Sequence, residues 1–153
     1  MAVSSRYVHT NLIARDWRQL SKFYVDALGC SPAPPERHYR GGDLERGTGV
    51  QDSELHGIHL RLPGYGQQGP TLEIYTYTRL QESLRPEVNR PGFGHIAFEV
   101  PDVPEARDAI VKGGGSQVGE VVTLQTSTGS KVTWCYVRDP EGNVIELQSW
   151  SQQ

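Results

Sequence analysis

Two histidines and two glutamates recur in matching surroundings: His9 in RYVHTNLI and His95 in FGHIAFEV, Glu73 in GPTLEIYTY and Glu146 in GNVIELQSW. Two neutral imidazoles and two carboxylates offer the nitrogen and oxygen donors that Zn, Ni, Co, Mn or Fe(II) accept, with coordination positions left for water or substrate. Taken singly, a strand His is more often a core residue and an inward Glu more often half of an ion pair. The pairing changes the balance, because two carboxylates buried together are costly without a cation between them. The expected centre is one divalent metal held by His9, Glu73, His95 and Glu146. No thiolate is required: Cys30 and Cys135 are the only cysteines, lack a CxxC spacing and read as reduced, structural thiols.

The elements that must position these donors come from an internal repeat. His9 to Asp16 and His95 to Asp102 are both seven positions, and Asp16 to Gly29 and Asp102 to Gly115 are both thirteen. In DWRQLSKFYVDALG, Trp17, Leu20, Phe23, Tyr24, Ala27 and Leu28 recur at helical spacing after an Asp16/Gln19 capping pair. Asp102/Glu105 precede Val103, Ala106 and Ile110 in the same way. Gly69 precedes Glu73 and Gly142 precedes Glu146 by four, and an aromatic, Tyr77 or Trp150, follows four later. Such self-similarity means one supersecondary unit used twice, so equivalent residues occupy equivalent places. The expected fold class is α+β, with two βαβββ modules at about 5–80 and about 92–150 in a single domain spanning 1–153. They are expected to form a curved mixed sheet around a metal-binding cavity.

Strand parity assigns the secondary candidates. Tyr75 and Tyr77 share a face with Glu73, Trp150 with Glu146, and Asn11 and Tyr7 with His9. Tyr75, Tyr77, Trp150 and Asn11 are therefore expected to contact substrate. His56 and His59 stand three apart, point to opposite faces and are expected to pack or lie at the surface. Prolines and glycines from Ser31 to Gly49 suggest an irregular insert, either a lid or a plain loop, in which Arg37 and Arg40 could meet an anionic substrate arm. The polar stretch RLQESLRPEVNRPG reads as the linker.

Composition limits the partners. A chain of 153 residues with 15 basic and 18 acidic residues, net charge -3, has no basic stripe for nucleic acid. No apolar run approaches a membrane span, and the start MAVSSRYVHT lacks a secretory signal, so a cytoplasmic protein acting on a small molecule is expected.

The paired modules, VHTNL and GHIAFEV in the first strands and the ending DPEGNVIEL resemble the vicinal oxygen chelate superfamily over nearly the whole chain. That superfamily includes glyoxalase I, methylmalonyl-CoA epimerase, extradiol dioxygenases and fosfomycin and bleomycin resistance proteins. The His/Glu/His/Glu set is most similar to bacterial glyoxalase I. The resemblance implies a metal-dependent lyase or isomerase that abstracts a proton from a substrate chelated through two oxygens, with Glu146 as base and Glu73 as its symmetry-related reserve. It also implies a homodimer. Two alternatives remain open: an Fe(II) extradiol dioxygenase using His9, His95 and Glu146, and a non-catalytic drug-binding protein.

Overall fold

The computed structural model describes residues 3–151. The chain forms two compact units, one up to Glu82 and one from Ser83. Each is an α+β module in which one helix follows the first strand of a four-stranded mixed sheet.

In the first unit, β1 (His9–Ile13) leads to α1 (Trp17–Leu28), followed by β2 (Ser31–Arg40), α2 (Gly42–Thr48), β3 (Glu54–Arg61) and β4 (Thr71–Tyr77). The strand order is β1-β4-β3-β2, with β1 parallel to β4 and the other pairs antiparallel. Asp16 caps the helix as expected: extended, it accepts the N–H groups of Arg18 and Gln19, and Gly29 closes the helix at φ 69, a left-handed conformation open to glycine at no steric cost. Trp17, Leu20, Phe23 and Tyr24 form the buried helix face, and Ile58, Leu60, Leu72 and Ile74 are buried in the sheet. A side chain such as Leu20, with no exposed surface, contributes roughly 1.5–3 kcal/mol by leaving water.

The second unit repeats this with β5 (Ile96–Glu99), α3 (Val103–Lys112), β6 (Ser116–Gln125), β7 (Lys131–Arg138) and β8 (Val144–Ser151), in the order β5-β8-β7-β6. Asp102 accepts the N–H of Glu105, and Val103 and Ile110 are buried. This helix stops at Lys112, so Gly115 is not the counterpart of the Gly29 cap. A β-carbon on Gly115 would lie 2.4 Å from the Arg138 carbonyl oxygen, and close approach of the chain is what requires glycine there.

The irregular insert expected from Ser31 to Gly49 is not what forms. Ser31–Arg40 is a ten-residue edge strand and Gly42–Thr48 a short helix. The prolines are tolerated because β2 is an outer strand and its pairing with β3 shifts register between Ala33 and Arg37, where Pro34 and Pro35 lie. The stretch read as linker has no regular element but is not idle. Buried Arg138 donates to the Pro86 carbonyl and reaches a Glu87 carboxylate oxygen at 2.7 Å.

Candidate metal centre

Each parallel strand pair brings one imidazole to one carboxylate. On β1 and β4, Asn11 is paired with Glu73, and His9 lies two residues along on the same face. The His9 Nε2 atom is 3.1 Å from Glu73 Oε2. On β5 and β8, Ala97 is paired with Glu146, and the Nε2 atom of His95, the residue just before β5, is 3.0 Å from Glu146 Oε2. Two donors about 2.1 Å from one cation and at right angles to each other lie about 3.0 Å apart, so each pair has the spacing of neighbouring metal ligands. The carboxylates are the more enclosed partners, at 13% and 19% exposure against 40% and 34% for the imidazoles.

The surroundings of the two carboxylates differ. Glu73 is held by three further groups: Asn11 Nδ2 donates to Oε2 at 3.4 Å, Tyr75 Oη donates to Oε1 at 3.3 Å, and His59 Nε2 lies 2.8 Å from Oε1. His59 also meets the Tyr75 hydroxyl at 3.0 Å and, through Nδ1, the Thr71 hydroxyl at 3.2 Å. Burial lowers the His59 pKa and so favours the neutral ring, while the Glu73 charge pulls the other way. Burial, with the Glu73 charge, pushes the Tyr75 hydroxyl well up and keeps it a donor. Around Glu146, by contrast, the positions equivalent to Asn11, His59 and Tyr75 are Ala97, Tyr136 and Gln148. His95 is its one ion-pairing partner among the described residues. The Tyr136 ring is 5.1 Å from that of His95, and its hydroxyl pKa is raised, first by burial and then by the Glu146 charge.

The sequence-derived candidates therefore separate. Tyr75 and Asn11 sit at the Glu73 carboxylate and brace it. Tyr77 lies about 13 Å further along β4. It lines a cleft of about 400 Å³ with Ile13, Val50 and Leu80. Trp150 is exposed, and its Nε1 donates to Gln148 Oε1 at 3.1 Å. Tyr7 is exposed and bonds Thr10. Arg37 shares the Glu73 face, where its charge opposes protonation of His59, while Arg40 lies on the other face beside Glu54. His59 is the residue that sequence reasoning missed. The opposite faces of His56 and His59 were read correctly, but the surface or packing role given to His59 is corrected by its contact with Glu73. The signal was a hairpin centred on the GYGQQG turn, which pairs His59 with Glu73. Both cysteines are buried, and burial raises the Cys30 thiol to about 11, which fits a structural thiol.

Comparison with known proteins decides the family. Residues 6–147 match the sequence profile of the Glyoxalase/Bleomycin resistance protein/Dioxygenase superfamily. The chain belongs to that superfamily. A curated relative, a probable lactoylglutathione lyase of Vibrio parahaemolyticus, is 28% identical over 147 residues, covering 94% of this chain and 90% of the relative. The crystal structure of a glyoxalase family protein from Bacillus cereus aligns with TM-score 0.76 at 21% identity, covering 99% of this chain and 97% of that one. A glyoxalase I variant from Zea mays aligns with TM-score 0.63 at 20% identity, over 93% of this chain and 45% of the maize chain. Members of the superfamily bind small molecules, and a divalent metal is general among them. No helix among the described residues is long and apolar enough to cross a membrane.

Proposed function

We propose that this superfamily member is a divalent-metal-dependent lyase or isomerase, similar in reaction to lactoylglutathione lyase, and that Glu146 is its base. One observation carries the reading: two equivalent carboxylates each face an imidazole, yet Glu73 is braced by Asn11, His59 and Tyr75 while Glu146 is not. In this reading His9, Glu73, His95 and Glu146 are the metal-donor residues. The bound cation would supply positive charge to two neighbouring substrate oxygens and so stabilise the anion left by deprotonation at the adjacent carbon.

A general base must move to meet its proton, and the less tethered carboxylate is suited to that. Glu146 takes the proton from the carbon beside the chelated oxygens and returns it to the neighbouring one. Glu73, fixed by its three partners, stays in place as a ligand, and His95 orients Glu146. Arg37, on the Glu73 face, is suited to an anionic arm of the substrate. The name of the Vibrio relative and the His/Glu/His/Glu set favour a glutathione hemithioacetal as substrate. A homodimer in the cytoplasm belongs to the same reading, supported by the family resemblance and the two free thiols.

The test is turnover of the methylglyoxal–glutathione hemithioacetal by the metal-loaded chain. Glu146→Gln is expected to lose about 10²–10⁴-fold in kcat with metal content retained, and Glu73→Gln to lose less. A folded, metal-loaded Glu146→Gln protein at full activity would refute the assignment. Oxygen uptake on a catechol panel under Fe(II), indifferent to Glu73→Gln, would turn the reading to ring cleavage by His9, His95 and Glu146.

A further inference from the structure

A second group of donors lies on the other face of the β2–β3 pair, away from Glu73. His38 and His56 are directly opposed across the two strands, and Arg40 is opposed to Glu54. The two imidazoles stack with centroids 4.0 Å apart and planes 15° from parallel. Both Nε2 atoms turn to the same carboxylate oxygen, Glu54 Oε1, at 2.6 Å from His38 and 3.7 Å from His56. The donor atoms of all three residues lie within 4.8 Å of one another. The His38 hydrogen bond holds the Glu54 pKa below its usual value, so the carboxylate is charged at neutral pH.

We propose that His38, Glu54 and His56 form a separate divalent transition-metal site, suited to Zn²⁺ or Cu²⁺. Two imidazoles and one carboxylate are the donor chemistry these ions take, and a three-ligand set leaves a position for water. Cross-strand pairing fixes the two β-carbons before any ion arrives, which lowers the ordering cost of binding. The donors of a tetrahedral site are about 3.3 Å apart, a spacing these half-exposed side chains reach by small rotations. The bound ion would clip β2 to β3 beyond the register shift at Ala33/Arg37, at the root of α2. Nothing in the repeat demands this cluster. The equivalent positions in the second unit carry a hydrogen-bonded pair, Thr123 and Thr133, and a cation, Lys131. Arg40, which also faces Glu54, opposes the ion and sets a ceiling on affinity.

Equilibrium dialysis of the full chain against ZnCl₂ at pH 7.5 tests the site. The double variant His38→Ala/His56→Ala is expected to bind one Zn²⁺ fewer per chain than the parent. His9→Gln/His95→Gln, which disables the candidate active centre, is expected to keep that ion, so failure of one site is distinguishable from failure of the other. Glu54→Gln should weaken this binding at least about tenfold, and Arg40→Gln should tighten it. Circular dichroism checks that the variants are folded. Equal stoichiometry in parent and His38→Ala/His56→Ala overturns the proposal, as does loss of all bound zinc in His9→Gln/His95→Gln or unchanged affinity in Glu54→Gln.

Discussion

The two modules share a plan but divide bulk and polarity differently around their carboxylates. In the first, Gly57 on β3 is opposite Tyr75 on β4, while at the equivalent positions of the second Trp134 on β7 is opposite Gln148 on β8. The large ring has changed strands. In module one it comes from the carboxylate's own strand, which lets its hydroxyl reach Glu73. In module two it comes from the neighbour, where the Trp134 ring packs 5.0 Å from Tyr136, and Glu146 has no comparable donor among the described residues. A duplicated scaffold can thus keep its His/Glu pair in both copies while one copy adds Asn11, His59 and Tyr75 around the carboxylate and the other leaves it with His95 as its ion-pairing partner among the described residues.

The comparison breaks most severely at Gly57. A β-carbon there would lie 2.0 Å from the Tyr75 ring and 2.1 Å from the Ile74 carbonyl oxygen, so Gly57→Ala should destabilise by about 3 kcal/mol in chemical denaturation. Removing the ring cannot relieve the clash with backbone, and the penalty should persist in a Tyr75→Ala background. Full stability of Gly57→Ala would show that the ring need not lie across this position.

Next in size is the thiol of module one. With Cys30 raised from about 9 to about 11, the unfolded chain loses that proton first as pH climbs. Stability from this group is complete below about 9 and is lost as pH rises through 11, on the order of 3 kcal/mol at ~1.4 kcal/mol per unit. The parent should therefore lose more stability than Cys30→Ala between those two pH values, measured by urea unfolding; parallel losses would contradict the assignment.

The smallest effects separate the helix caps. Asp16 accepts two backbone N–H groups and Asp102 accepts one from Glu105. Each Asp→Ala change should cost about 1 kcal/mol, with Asp16→Ala the larger, and thermal unfolding of the two variants ranks them. A reversed order would mean that the cap contacts do not set the difference.

These caps were also the most legible part of the sequence, because a cap depends on residues two or three apart and the fourteen-residue segments from Asp16 and Asp102 carry their own start signals. The His/Glu pairs were legible through repetition: strand parity put one of each on a face, and the matched intervals tied the copies together. What depends on partners distant in sequence was not legible. His59 joins Glu73 only through the β3–β4 register, and His38 meets His56 only through β2–β3. The prolines of β2 read as loop because proline breaks most strands, and only its place at the sheet edge reverses that reading. Tyr75 and Asn11 were found by parity, but parity gives a face and not a partner, so their contact with Glu73 had to come from the structure. Tyr77 and Trp150, sharing the same parity, lie too far along their strands to join them.

Strand order has a consequence for how the chain is made. In each sheet the last strand in sequence is an inner one: β4 enters between β1 and β3, and β8 between β5 and β7. His9 leaves the ribosome 64 residues before Glu73 (73 − 9), and His95 51 residues before Glu146 (146 − 95). At roughly 5–20 residues per second, each imidazole waits several seconds for its carboxylate. When the carboxylate arrives, it does so on the strand whose insertion joins the sheet together. A half-synthesised module therefore holds a histidine without its carboxylate, and the first pair can be complete before the second histidine's partner has been translated.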